Sequence, residues 1–473
     1  MGAIVFLHRW MGIAFCLLFA MWFATGIVMH FVPFPSLSEA ERFAGLAPID
    51  TARAAIGPVD AVRVSGIANV ERIRLIQRSD GPTYIVSGSS LLRAVRASDG
   101  TDAPVNSPEM ALAAARDHAS RRGLDASRAS VLQLADYDQW SVPNGFDRHR
   151  PLFRIAFDDA GGTQIYVSSV TGEVVLKTNR GERAWNFAGS VLHWIYPTIL
   201  RSNWALWDRV VWTLSLLALI GAVLGAVLGV VRIRIGQGAA LSPFRGWHAL
   251  HHIAGVVAAA FVLTWIFSGW LSMDHGRLFS RGELTKHQVM TLLPDWAAVR
   301  SNAWPPMSPS AREVEWFALN GKFYRRDRIS LDGQIMFSAG ENLGDGTGSL
   351  SSLGVREFVA RLATSCDVPS VLAADDAYPA QSSLPGAPVY RARCGEVWFD
   401  VDGADGRVLQ RWDASRRAYR WLYGALHTLD LPILLAHPGL RSILIVSLCA
   451  LGLLFSLTGI VIGWRRLRHA FGG

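Results

Sequence analysis

Four stretches of this chain are long and apolar enough to cross a bilayer, and no other feature limits its fold as strongly. A spanning helix needs about 20 apolar residues, and in lipid the backbone must satisfy its own polar groups. The stretches run over 10–31, 206–231, 249–273 and 440–464. Long polar segments separate the first from the second and the third from the fourth. Over 473 residues, 51% are hydrophobic and 18% charged, which fits a few spans plus sizeable water-facing domains. The expected organisation is a first span within 1–33, an outer domain over 34–205 and a second span over 206–232. A short loop over 233–248, a third span over 249–273 and a second outer domain over 274–439 follow. The fourth span covers 440–465 and a tail 466–473.

The net charge of +8 is informative through its placement. Arg9 precedes the first span; Arg232, Arg234 and Arg245 lie in the middle loop; Arg465, Arg466 and Arg468 close the chain. None of these short segments carries an acid. Short basic segments mark the cytoplasmic side, so both termini are expected inside and both large domains outside. The basic balance therefore reports topology, and no nucleic-acid partner is read from it. The first span resembles a signal peptide only superficially: its length and the lack of an A-x-A-like site argue that it is retained.

The chain also repeats itself. Residues 7–26 fall on 250–269 without a gap, bringing His8 onto His251, Gly12 onto Gly255, Trp22 onto Trp265, Thr25 onto Ser268 and Gly26 onto Gly269. At a second offset, Leu192-His193 falls on Leu426-His427, and the "GAVLG" at 225–229 on the "GIVIG" at 459–463. Each half reads as span, outer domain, "LH", span. Such repetition is evidence about fold, and halves that both start inside make a parallel repeat about the membrane normal. The outer domains read as small α+β modules. Ser107 caps a helical pattern through 123, and "PLFRIAF" and "TQIYVSSVTGEVVLK" (163–177) read as strands with a Gly turn. In the second domain "GVREFVARLA" (354–363) is the helix, and "APVYRARCG" and "VWFDVDGADGRVLQRWD" are the strands. An oxidising exterior permits a disulfide between Cys366 and Cys394, although spacing alone does not establish it.

The "LHRW" span, the "IYVSSVTGEVV" and "WFDVDGADGRVLQRWD" hairpins, and "LH" ahead of a span ending in basic residues resemble the PepSY-associated transmembrane proteins. Within that family the chain is most similar to inner-membrane reductases of siderophore iron. The resemblance implies a four-span bundle in the bacterial inner membrane, two periplasmic PepSY-like domains, and b-type haem. It further implies a haem-dependent ferric reductase, with a ferric siderophore or another iron chelate as substrate. Electrons would come from a separate cytoplasmic flavoprotein or from quinol. Larger relatives carry a C-terminal flavin reductase domain, and this chain is expected to lack one.

Histidines are the candidate ligands. A low-spin b haem takes two axial imidazoles on opposite faces of the ring, and histidines one turn apart on one helix point the same way. Ligands must then come from different helices, and the repeat supplies His8 with His251 inside and His193 with His427 outside. Two haems would make an electron path across the membrane. The absence of C-x-x-C-H excludes covalent c-type attachment. In "HALHHIAG" (248–255), His252 and His248 compete with His251, and His252 lies about 100° round the helix from it. His30 and His275, at the outer ends of their spans, are alternatives for the outer site. His118, His149 and His287 read as surface residues. For substrate, the segments 193–209 and 427–441 begin at the outer pair, and Trp194, Tyr196, Arg201 and Trp204 are candidate contacts. Tryptophans at this depth are also ordinary interfacial anchors.

Two other classes compete. A non-enzymatic PepSY membrane protein would bind or regulate an envelope partner such as a protease, and its histidines would be interfacial. A transporter would need charge within its spans, and their apolar centres hold none.

Overall fold

In the computed structural model, residues 1–234, 241–299, 304–338, 341–342 and 349–471 are described. Part of the expected middle loop (235–240) and the last two tail residues lie outside them. Four long apolar helices, Gly2–Phe31, Trp204–Val231, Trp247–Ser272 and Pro438–Phe471, are each long enough to cross a membrane. The first begins eight residues before the apolar stretch proper (10 − 2), and the fourth carries its helix through the basic tail. Each span touches its two neighbours, in the ring order first, second, third, fourth and back to first. The first and third spans are therefore diagonal across the bundle. Phe23, Ala218, Ala258, Val262, Trp265, Ile445 and Cys449 form its buried core.

Outside the spans, the described residues form three antiparallel sheets. β4 (Ser130–Ala135), β5 (Leu152–Ala156), β6 (Gln164–Ser168) and β7 (Val174–Thr178) pair in chain order. So do β12 (Ser370–Val371), β13 (Val389–Cys394), β14 (Val397–Asp402) and β15 (Val408–Trp412). A helix over Pro108–Arg121, capped by Ser107, covers the first sheet. A helix over Ser352–Ala360 covers the second. Gly172, at φ +73°, makes the β6–β7 turn where a side chain would be strained. A disulfide joins Cys366 to Cys394.

The third sheet draws on both long segments between spans, 34–205 and 274–439. β1 (Val70–Arg78), β2 (Gly81–Gly88) and β3 (Leu92–Arg96) come from the first, and β8 (Glu313–Leu319), β9 (Lys322–Arg328), β10 (Gln334–Ser338) and β11 (Glu341–Asn342) from the second. The strand order is β11-β10-β9-β8-β1-β2-β3. β1 and β8 pair through Ile73 with Trp316 and Leu75 with Val314, all four buried. Buried charges lock the seam. Glu313 receives Arg42, Arg74 and Arg328, and Glu315 receives Arg72 and Arg326. Arg72 and Arg326 also reach Asp405 in the β14–β15 turn, and Arg74 reaches Glu173 in the β6–β7 turn. Buried ions need such pairing. The two segments read as separate domains are thus one hydrogen-bonded and ion-paired body over the bundle.

Candidate functional site

The bundle brings His8 and His251 together from its diagonal helices, with ring centroids 6.5 Å apart. His8 Nδ1 lies 3.3 Å from the Gly221 carbonyl on the second span. His251 Nδ1 lies 2.8 Å from Thr458 Oγ1 on the fourth, and its ring stacks on Phe455 at 4.9 Å. Glycine makes the room. A Cβ on Gly225 would stand 2.6 Å from His8 Cε1, and one on Gly459 would stand 3.5 Å from His251 Cε1.

At the other end, His193 and His427 meet with centroids 6.3 Å apart. Each follows a π-helical turn, Phe187–Val191 and Arg420–Ala425 respectively, a departure from α geometry common at functional sites. His193 Nδ1 lies 2.9 Å from Thr25 Oγ1, and His427 Nδ1 lies 3.1 Å from Ser268 Oγ. Gly26 and Gly269 face the two rings, with Cε1 3.8 and 3.2 Å from where a Cβ would be. Trp22 Nε1 donates to the His193 carbonyl at 3.0 Å. Thr25 follows His8 by 17 residues, which separates the two pairs by about 25 Å along the first span. Phe23, Phe261 and Trp265 pack against one another in the bundle between them.

All four rings share one pattern. Every hydrogen bond they make among the described residues runs through Nδ1, leaving Nε2 for a ligand. A metal-bound histidine uses its other ring nitrogen in this way to fix tautomer and orientation. With metal–nitrogen bonds of about 2 Å, two trans imidazoles have centroids about 6 Å apart. Both pairs meet that spacing, so the residues present fit a bis-histidine iron.

The alternatives are placed elsewhere. His252 is buried with both nitrogens engaged, Nδ1 with Ser242 Oγ and Nε2 with the Gly229 carbonyl, each at 2.9 Å. That leaves it no nitrogen for a metal. His248 is exposed. His30 Nε2 meets Ser442 Oγ at 2.8 Å, and His275 Nδ1 meets Asp208 Oδ2 at 2.6 Å. Neither joins the outer pair. His118, expected at the surface, is buried, and His149 is partly so. Burial pushes both imidazoles down to about 4.

The substrate candidates require a correction. Arg201 is buried, bonded to Asn144 Oδ1 and stacked over the Tyr196 and Trp207 rings. Tyr196 is itself buried among Phe34, Trp194 and Trp207. A guanidinium held by a neighbouring amide and two aromatic faces is not free to meet a chelate. Only Trp204, 40% exposed, faces outward among the four. Asp208, which no sequence motif singles out, is a buried acid one turn inside the second span. An ionisable residue in such a place was the available signal.

A bundle of four apolar helices beside a β-rich body, with paired histidines at each end, defines a multi-pass membrane protein. The chain belongs to the PepSY-associated TM region family, which it matches over residues 5–466. No curated protein matches it.

Proposed function

We propose that the protein is a di-haem b electron carrier of the bacterial inner membrane. It would reduce ferric iron, held in a siderophore or another chelate, on the periplasmic side. On this reading it is a parallel repeat of two halves, its outer body is PepSY-like, and both termini are cytoplasmic. Electrons enter from a cytoplasmic flavoprotein or from quinol.

The observation that carries the reading is the geometry common to the two histidine pairs: iron-compatible spacing, with Nδ1 engaged. Bound haem supplies a one-electron couple at iron. His8 with His251, and His193 with His427, would hold one iron each. Thr458, Thr25, Ser268 and the Gly221 carbonyl orient the rings. Phe23, Phe261 and Trp265 fill the space between the pairs and keep water out. Ferric chelates are polar and bulky, so they approach the outer pair from the aqueous side. Reduction to Fe(II) weakens hard-oxygen chelation and releases the metal.

The deciding measurement is the absorption spectrum of protein expressed with ample haem. A Soret band that shifts on dithionite reduction is expected, and a colourless protein ends the proposal. For the substrate, anaerobic pre-reduced protein is mixed with ferric siderophore and ferrozine. Haem re-oxidation no faster than with the gallium analogue would remove the siderophore role alone.

A further inference from the structure

The two halves of the chain furnish the His193–His427 pair differently. On the second-half side, the helical segment that brings in the ligand carries rings in file. Tyr419, Tyr423 and His427 recur every four residues and so share a face. The Tyr423 ring stacks on His427, with centroids 5.3 Å and planes 21° apart. Tyr419 lies 5.4 Å beyond Tyr423, at 31°. At the far end the Arg416 guanidinium lies 5.0 Å over the Tyr419 ring, and Phe279 packs on that ring at 5.2 Å. Three rings thus run without interruption from a candidate ligand to a half-buried tyrosine.

The first-half side has no such file. At the offset of 234 residues (427 − 193), Tyr423, Tyr419 and Arg416 fall on Gly189, Trp185 and Glu182. A Cβ on Gly189 would stand 2.9 Å from Val28 Cγ1, so the first span closes the place that Tyr423 fills in the other half. The charge is reversed as well, an acid standing where Arg416 does. At the tip of the file the free charge is positive. Arg416 makes no ion pair among the described residues. Arg281 and Asp274 both lie close enough to Tyr419 to act on its hydroxyl electrostatically. Arg281 meets Asp274 only at 3.7 Å, and its side chain is 41% exposed. Asp413 is engaged by Arg411 and Ser280.

We infer that Tyr419, with Arg416 and Arg281 beside it, is the docking surface for an anionic ferric chelate, and that Tyr423 and Tyr419 form the electron path to it from the His193–His427 site. This rests on the electron-transfer reading above and adds the charge of the substrate and the side on which it is met. A chelate with carboxylate or phenolate oxygens at its rim suits guanidinium donors, and its apolar edge can lie on an aromatic face. Such a complex is bulky, so it meets a surface and needs no deep cavity. The balance is one electron. The iron held by His193 and His427 is oxidised, the docked Fe(III) is reduced to Fe(II), and no proton is exchanged. The tyrosines supply a packed path and are not themselves oxidised.

The test uses full-length protein in nanodiscs of zwitterionic lipid. Docking is read without electron transfer, by equilibrium dialysis against radiolabelled gallium(III) citrate, an anionic and redox-inert analogue. Arg416→Gln and Arg281→Gln should each weaken binding about tenfold. Glu182→Gln and Trp185→Leu, at the first-half counterparts, should bind as wild type. A cationic gallium(III) trihydroxamate should bind far more weakly than the citrate. Electron exit is read by stopped flow, from re-oxidation of pre-reduced protein by ferric citrate without oxygen. Tyr423→Leu should slow it with gallium binding, haem content and haem potential unchanged, and Tyr423→Phe, which keeps the ring, should restore it. Should Tyr423→Leu lose haem, Tyr419→Leu, one ring further from the ligand, takes its place. Equal binding of gallium citrate by wild type and the double arginine variant overturns the docking surface, as does equal binding of the cationic complex. Re-oxidation of the leucine variant at the wild-type rate overturns the path. If the protein holds no haem, the electron-transfer reading fails, while gallium binding still decides the docking surface.

Discussion

Gly225 faces His8 so closely that a Cβ there would stand 2.6 Å from the imidazole Cε1. The only relief is to move the ring or part the first and second spans. Gly225→Ala is therefore expected to disturb the His8–His251 site and leave the His193–His427 site intact. Gly459→Ala, whose Cβ would meet His251 at an ordinary 3.5 Å, should be close to neutral. Haem content and redox titration of the two variants check this. An unchanged Gly225→Ala protein would mean that His8 holds nothing.

Single histidine substitutions should separate the two sites. His8→Ala and His251→Ala are expected to remove one haem, and His193→Ala and His427→Ala the other, by pyridine haemochrome assay. His252→Ala should leave haem content alone. It orphans Ser242 and the Gly229 carbonyl in a buried place, at a cost of about 1–3 kcal/mol, seen as a lower thermal midpoint. Loss of haem from His252→Ala together with retention in His251→Ala would exchange their roles.

Thr25→Val and Ser268→Ala remove the hydrogen bonds at 2.9 and 3.1 Å that orient the outer rings. Removing such supports costs about 10–100-fold in metal affinity. Faster haem transfer to apomyoglobin from these variants, confined to the outer haem, is the expected result. Transfer at the wild-type rate would show that the hydroxyls do not act on the ligands.

The β-rich body should lose stability in acid in two stages. His118 and His149 are pushed by burial to about 4 from about 6.5 unfolded. Above pH 6.5 both states are neutral and the histidines cost nothing. Between about 6.5 and 4 the unfolded chain binds protons that the folded one refuses, so stability falls. Lower still, Glu173, held at about 2 by the Arg74 guanidinium against the opposing effect of burial, contributes stability that is lost as its carboxylate protonates. Thermal midpoints between pH 7.5 and 5 check the first stage. His118→Gln and His149→Gln together should flatten that slope, and an equal slope in the double variant would assign the loss to other groups.

Much of this was readable in advance. The four spans follow from apolar length alone, and Ser107 marked its helix start because an N-cap is a local event. The offsets of 243 and 234 residues named His8 with His251 and His193 with His427 as counterparts, and diagonal packing brings each pair within 6.5 Å. Local periodicity and internal repetition need no knowledge of distant contacts, so the sequence by itself determined the spans, the sheet-forming segments and the candidate histidines. What it left open depends on partners far along the chain. Whether His251 or His252 keeps a free nitrogen is decided by Ser242, Gly229 and Thr458. Arg201 looked available until Asn144, Tyr196 and Trp207 enclosed it. The pairing of β1 with β8 joins segments more than 200 residues apart through charges that would be untenable unpaired. Only the tertiary structure decided these matters, because a side chain's hydrogen bonds and burial are set by whatever the fold brings against it.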